Sequence, residues 1–234
     1  MSDIRNSNAS NPFAASAPSA LQTNKVLRST YALLSMTLLF SAVSAYAAMS
    51  VGLSGIGGLI CFGIAFAMLW FVIPKTANSS MGIVTTFIFT GLMGASIAPM
   101  LDRYLGMPNG ASYVMQALGG TAMIFLTLSA WVLTSKKDFS FMGGMLMVGM
   151  MVVIGAILLS VLSSLFGWFD VSLLQIAISS VIVLLMSGFI LYDTSRIVNG
   201  GETNYILATI GLYITLHNLF TSLLHLVTAF SGDD

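Results

Sequence analysis

Residues 205–230 read YILATIGLYITLHNLFTSLLHLVTAF. A helix needs ~20 apolar residues to cross ~30 Å of hydrocarbon, and this run is long enough. Yet it carries Thr209, Tyr213, Thr215, His217, Asn218, Thr221, Ser222, His225 and Thr228. Thr209, Tyr213, His217, Thr221 and His225 stand four apart. Steps of four turn a helix by ~400°, so these side chains form a slowly winding polar stripe, which Asn218 and Ser222 widen. A polar stripe should not face lipid; it belongs inside a bundle or beside a wet cavity. The simplest arrangement is a central last helix ringed by the others.

The rest of the chain supplies that ring. Of its 234 residues, 57% are hydrophobic and 7% charged, against roughly 25% charged in a soluble domain. So few charges cannot cover a water-exposed surface, and membrane lipid must be the solvent for most of the chain. Eight Lys and Arg balance eight Asp and Glu, which leaves no basic patch for nucleic acid. The single cysteine, Cys61, sits in an apolar run and reads as a small packing residue. Seven segments are long enough to span: 27–49, 53–73, 80–101, 112–134, 141–165, 171–192 and 205–230. They read as helices, because a helix satisfies its own backbone in lipid and no run alternates as a barrel strand would. Pro99 should kink or end the third span. The Met-rich start of the fifth reads as flexible packing, with no Cys or His to make a soft-metal path.

Lys and Arg placement orients the bundle. With the N-terminus in the cytoplasm, Arg5, Lys25, Arg28, Lys75, Lys136, Lys137 and Arg196 lie inside and only Arg103 lies outside. The C-terminus is then periplasmic. Residues 1–24, rich in Ser, Asn, Ala and Pro, read as a disordered cytoplasmic tail with Ser2, Asp3, Arg5, Pro12 and Pro18 along it. Residues 25–234 read as one transmembrane domain.

The stretch LYDTSRIVNGGETN (191–204) joins the last two spans. Gly200 and Gly201 should stop the sixth helix, and Thr203 or Asn204 should cap the seventh with Glu202 near its positive end. Asp193 falls at the cytoplasmic end of the sixth span, and three readings stand. It is a solvated acid paired with Arg196 three residues on, a gate over a polar cavity beside the last helix, or a catalytic aspartate. Tyr192–Asp193 matches a fragment of intramembrane aspartyl proteases, but their second, Gly-x-Gly-Asp aspartate is absent and the last span holds no Asp or Glu. No HExxH and no phosphate loop occur, so no enzyme is supported. His217 and His225 lie ~12 Å apart along the axis, too far for one metal. No cofactor is expected. The candidate gate and polar cavity comprise Asp193, Arg196, Tyr213, Thr215, His217, Asn218 and Thr221.

KVLRSTYALLSMTL (25–38), PKTANSSMGI (74–83), ALGGTA (117–122), SKKDFSFMGGMLM (135–147) and GGETNYILATIGLYITLHNLF (200–220) together resemble the Bax inhibitor 1 family. Within it they are most similar to the bacterial inner-membrane branch that modulates the FtsH protease. The resemblance implies an all-helical seven-span bundle in the bacterial inner membrane. It implies association with the AAA protease FtsH and its partners HflK and HflC, restraint of membrane-protein degradation, and slow degradation of the modulator itself. The N-terminal tail would be the protease's grip. The resemblance also implies an alternative, a pH-sensitive calcium leak closed by two aspartates. Asp193 matches the first, while the second position holds Thr215, which cannot titrate. One carboxylate makes a thin site for Ca²⁺, which takes six to eight oxygens.

Overall fold

The structure, a computed structural model, describes residues 20–231. It is helical throughout: α1 (Ala20–Ser50), α2 (Gly55–Phe71), α3 (Ile73–Thr76), α4 (Met81–Ser96), α5 (Ala98–Leu105), α6 (Gly110–Ser135), α7 (Gly143–Phe166), α8 (Ser172–Val198) and α9 (Tyr205–Ser231), with a 3₁₀ turn at Ser140–Met142 before α7. Six helical stretches are long and apolar enough to cross a membrane, α4 and α5 counting together. The expected span 53–73 is the exception. Its helix α2 has 17 residues, about 26 Å at ~1.5 Å per residue and the lower limit for spanning. The chain then breaks at Val72 and restarts as α3 with Pro74 in its first turn, where a missing N–H does no harm.

Proline also divides the third span, as its position predicts. Pro99 cannot donate to the carbonyl four residues back, so α4 stops at Ser96 and α5 starts at Ala98. Two expected boundaries move. α1 begins at Ala20, so residues 20–24, read as the end of the tail, are helical. The remainder of that tail, with Ser2, Asp3, Arg5, Pro12 and Pro18, lies outside the described residues. α8 runs on to Val198 before Gly200, at φ 76°, turns the chain. The sequence places its end at Asp193 because the apolar run stops there. The structure carries the helix another turn and a half because Thr194, Ser195 and Ile197 remain buried against neighbours.

α9 is the central helix. Over half (56%) of its most apolar window is buried, against 17% for α7. Leu212, Leu219 and Leu224 have no exposed surface. The ring around it is incomplete. α9 packs directly on α8, α6, α1 and α4, while α7 leans on α8 and α2 on α4 and α5. The backbones of α1 and α4 approach closely at Gly94, where any Cβ would strike the Ser41 carbonyl. Beside it, the Ser44 hydroxyl donates to the Gly91 carbonyl at 2.7 Å.

Candidate functional site

The polar stripe of α9 does not serve one cavity. Its winding carries successive residues to different neighbours. Thr209 donates to the Thr30 carbonyl of α1 (3.3 Å) and to Tyr205 within its own helix (2.7 Å). Tyr213 donates to the Thr90 carbonyl of α4 (3.1 Å), so the Ser41 hydroxyl must donate to the Tyr213 oxygen at 2.6 Å. Tyr213 thereby joins α1, α4 and α9, with Phe89 edge-on to its ring. Asn218 and Thr221 turn back onto α9, at the carbonyls of Ile214 and Asn218. His225 Nδ1 meets the Ser179 hydroxyl of α8 at 2.9 Å. His217 lies against the Tyr213 ring and borders three cavities, of about 420, 390 and 280 Å³.

Asp193 is half-buried, on the face of α8 turned to α9. Its carboxylate sits over Gly211, where only a hydrogen occupies the α9 surface, and lies beside the Thr215 hydroxyl. Gly211 and Thr215 are one turn apart, so together they form a notch for the carboxylate. The expected pairing of Asp193 with Arg196 is replaced. Arg196 instead reaches the Glu202 carboxylate at 3.3 Å and lies over the Tyr192 ring. The reason is geometric: Asp193 points inward to α9, whereas Arg196 turns outward to the loop that follows its own helix. The candidate residues therefore separate. Asp193 and Thr215 meet, Arg196 belongs to the loop, Tyr213 lies at the same level but turns to α1 and α4, and His217, Asn218 and Thr221 lie deeper along α9.

Around this end of the bundle runs a hydrogen-bond network that crosses between loops. Asn204 is its chief member. Its Oδ1 accepts from the N–H groups of Ile206 (2.9 Å) and Leu207 (3.3 Å), which caps α9. Its Nδ2 donates to the Ala77 carbonyl (3.0 Å) and Asn78 Oδ1 (2.8 Å) in the loop after α3. The Glu202 carboxylate accepts from the Asn204 N–H at 2.9 Å. Ser195 ties in the third loop: its hydroxyl accepts from the Phe139 N–H at 2.8 Å and from Asn199 at 3.2 Å. In the same loop Asp138 accepts from the Ser140 N–H at 2.8 Å, which holds its carboxyl below the usual range. The capping role of Asn204 is visible in sequence, since Asn before an apolar run signals a helix start. Nothing local marks Ser195, because its partner is 56 residues away.

The family model described as "Inhibitor of apoptosis-promoting Bax1" matches residues 23–232. This chain belongs to the Bax inhibitor 1 family. Bacterial membrane proteins are among its relatives. An uncharacterized membrane protein of Vibrio cholerae is 52% identical over 92% of this chain and 93% of its own length. The modulator of FtsH protease YccA of Escherichia coli K12 is 46% identical over 92% of this chain and 94% of its own length. An uncharacterized protein of Pseudomonas aeruginosa is 45% identical over 91% and 93%. This family member is thus a multi-pass membrane protein, and among its described residues no three His, Cys, Asp or Glu side chains gather in a metal-binding group.

Proposed function

We propose that this protein is a modulator of a membrane-anchored AAA protease of the FtsH type, acting in membrane-protein quality control. The observation that carries this reading is the likeness to YccA, which extends over almost the whole of both chains. The bundle suits a protein that contacts an unfoldase without being readily consumed. Its loops at the Asp193 end are tied to one another by Asn204 and Ser195, so pulling on one loop loads the others. On this reading the protein sits in the bacterial inner membrane with the Asp193 end and N-terminus in the cytoplasm and the C-terminus in the periplasm. FtsH meets it there together with HflK and HflC. The segment before α1, poor in apolar residues, is the protease's grip.

The test is the half-life of an unstable multi-span substrate of the protease in cells overproducing the full-length protein. Substrate decay should slow severalfold, and the protease should co-purify. Unchanged decay with no co-purification would overturn the reading. Removing residues 2–19 should then lengthen the modulator's own half-life while leaving its contact with the protease intact.

A second reading, a pH-sensitive calcium or cation leak, draws support from the contact between Asp193 and Thr215. With one carboxylate and one hydroxyl, the contact has a single titrating partner. If the modulator reading holds instead, Asp193→Asn in liposomes should change any calcium flux only modestly and leave its pH dependence in place. Abrupt opening, or loss of the pH response, would favour the leak.

A further inference from the structure

The largest of the three cavities at His217, about 420 Å³, is a groove between α1 and α6. These two helices both pack on α9, yet their Cα atoms nowhere come within 8 Å of each other. The groove is open along its side. Tyr46 on one wall and Leu118 and Leu126 on the other are 70%, 49% and 63% exposed. Those walls belong to two membrane-crossing helices, so the opening faces the bilayer.

Its length is set by the walls. The lining runs from Leu38 to Met49 on α1 and from Val114 to Leu126 on α6, eleven and twelve residue-to-residue steps. At ~1.5 Å per residue that is about 16–18 Å, close to half of the ~30 Å hydrocarbon core. The groove is therefore one leaflet deep. It begins near the turn that follows α1, where the interface lies. It ends near the middle of the membrane, where the Tyr31 and Phe125 rings stack across the gap with centroids 5.8 Å apart. Its inner wall is α9, joined toward the interface by Ile97 and Leu101 where α5 packs on both α1 and α6. Of the polar groups there, Tyr213 and Ser41 bond each other, Thr121 donates to its own helix at Ala117, and His217 lies against the Tyr213 ring. An apolar occupant leaves Tyr213, Ser41 and Thr121 with their partners.

We propose that this groove is a binding site for one acyl chain of a bilayer phospholipid. The lipid's headgroup rests at the end of α1 and its chain lies between α1 and α6 against α9. Three observations select this occupant over others. The mouth faces hydrocarbon, the length matches one leaflet, and the deep end is closed by an aromatic pair. A transmembrane helix would need a groove open across both leaflets.

The experiment replaces Trp70, Trp131 and Trp168 by Phe, so that Phe125→Trp provides the sole indole, at the deep end. The protein is placed in phosphatidylcholine vesicles brominated near the middle of the acyl chains. Bromine quenches only an indole it touches. The recessed Trp should be quenched about as strongly as one placed at lipid-facing Leu184. Adding Ala122→Phe, which fills the mouth of the groove without entering the core, should cut that quenching severalfold. Native mass spectrometry of the protein with its wild-type tryptophans should show one retained phospholipid, lost in Ala122→Phe. Weak quenching without the filling residue, or equal quenching with it, overturns the proposal. So does dimer cross-linking through Tyr46 and Leu118, which would mean that a second copy covers the groove.

Discussion

The two ends of the bundle are built differently. At the Asp193 end, side chains bond the backbone of a loop distant in sequence: Asn204 to Ala77, and Ser195 to Phe139. At the opposite end each turn bonds within itself. Gly52 closes onto Met49, Gly110 onto Met107, and the Ser163 hydroxyl onto Phe169. The difference teaches where rigidity resides in a protein that lacks charge. A chain with a single ion pair among its described residues cannot tie its loops electrostatically. It uses amides and hydroxyls instead, and concentrates them at one end. The other end holds the mouth of the acyl-chain groove and leaves the helices freer to separate.

The comparison breaks most readily at Asn204. Asn204→Ala removes a helix cap, worth about 1 kcal/mol, and leaves the Ala77 carbonyl without its donor, worth about 1–3 kcal/mol. A loss of about 2–3 kcal/mol is expected in reversible unfolding followed by circular dichroism in micelles. The loops at residues 77–78 and 199–204 should lose hydrogen-exchange protection together. A loss confined to the start of α9 would mean that the loops are independent after all. Ser54→Ala provides the counterpart at the opposite end. Ser54 caps α2 by accepting from the Gly57 N–H at 3.2 Å, and no other loop depends on it. About 0.5–1 kcal/mol should be lost, with exchange rising only in the first turn of α2.

The smallest effect concerns pH. The Ser140 N–H favours the charged form of Asp138, whose carboxyl is thereby held below its ordinary 3.8. A depressed carboxyl contributes order that is present above that value and lost as pH falls through the depressed one. The Ser140 amide resonance should therefore shift in strongly acidic solution and stay fixed near neutrality. Asp138→Asn should abolish the shift. A transition near neutral pH would contradict the assignment.

Much of the architecture is legible in the sequence because lipid imposes simple rules. Apolar length marks the spans, Pro99 marks the division of the third, and the Thr–Tyr–His periodicity marks α9 as interior. The sequence misplaces the end of α8 because it takes the first acid for the end of the membrane. In the structure a notch at Gly211 and Thr215 accepts that acid within the bundle. The notch, the Ser195 ties and the three cavities at His217 all depend on contacts between segments far apart in the chain. No local pattern encodes them. The expectation that all six helices would touch the last fails for a similar reason. Periodicity shows that a helix is interior without showing which neighbours stand beside it.

The position of α9 also bears on how the molecule is born. Translation delivers α1 through α8 first, and they enter the bilayer without the strut that four of them lean on. Until α9 arrives, the Thr90 carbonyl, the Ser41 hydroxyl and the Asp193 carboxylate lack the partners it brings. α9 is itself the least apolar of the six span-length stretches, and it gains a settled place only by entering a ring already standing. Each nascent copy therefore passes through a stage at which it is itself an incompletely assembled membrane protein.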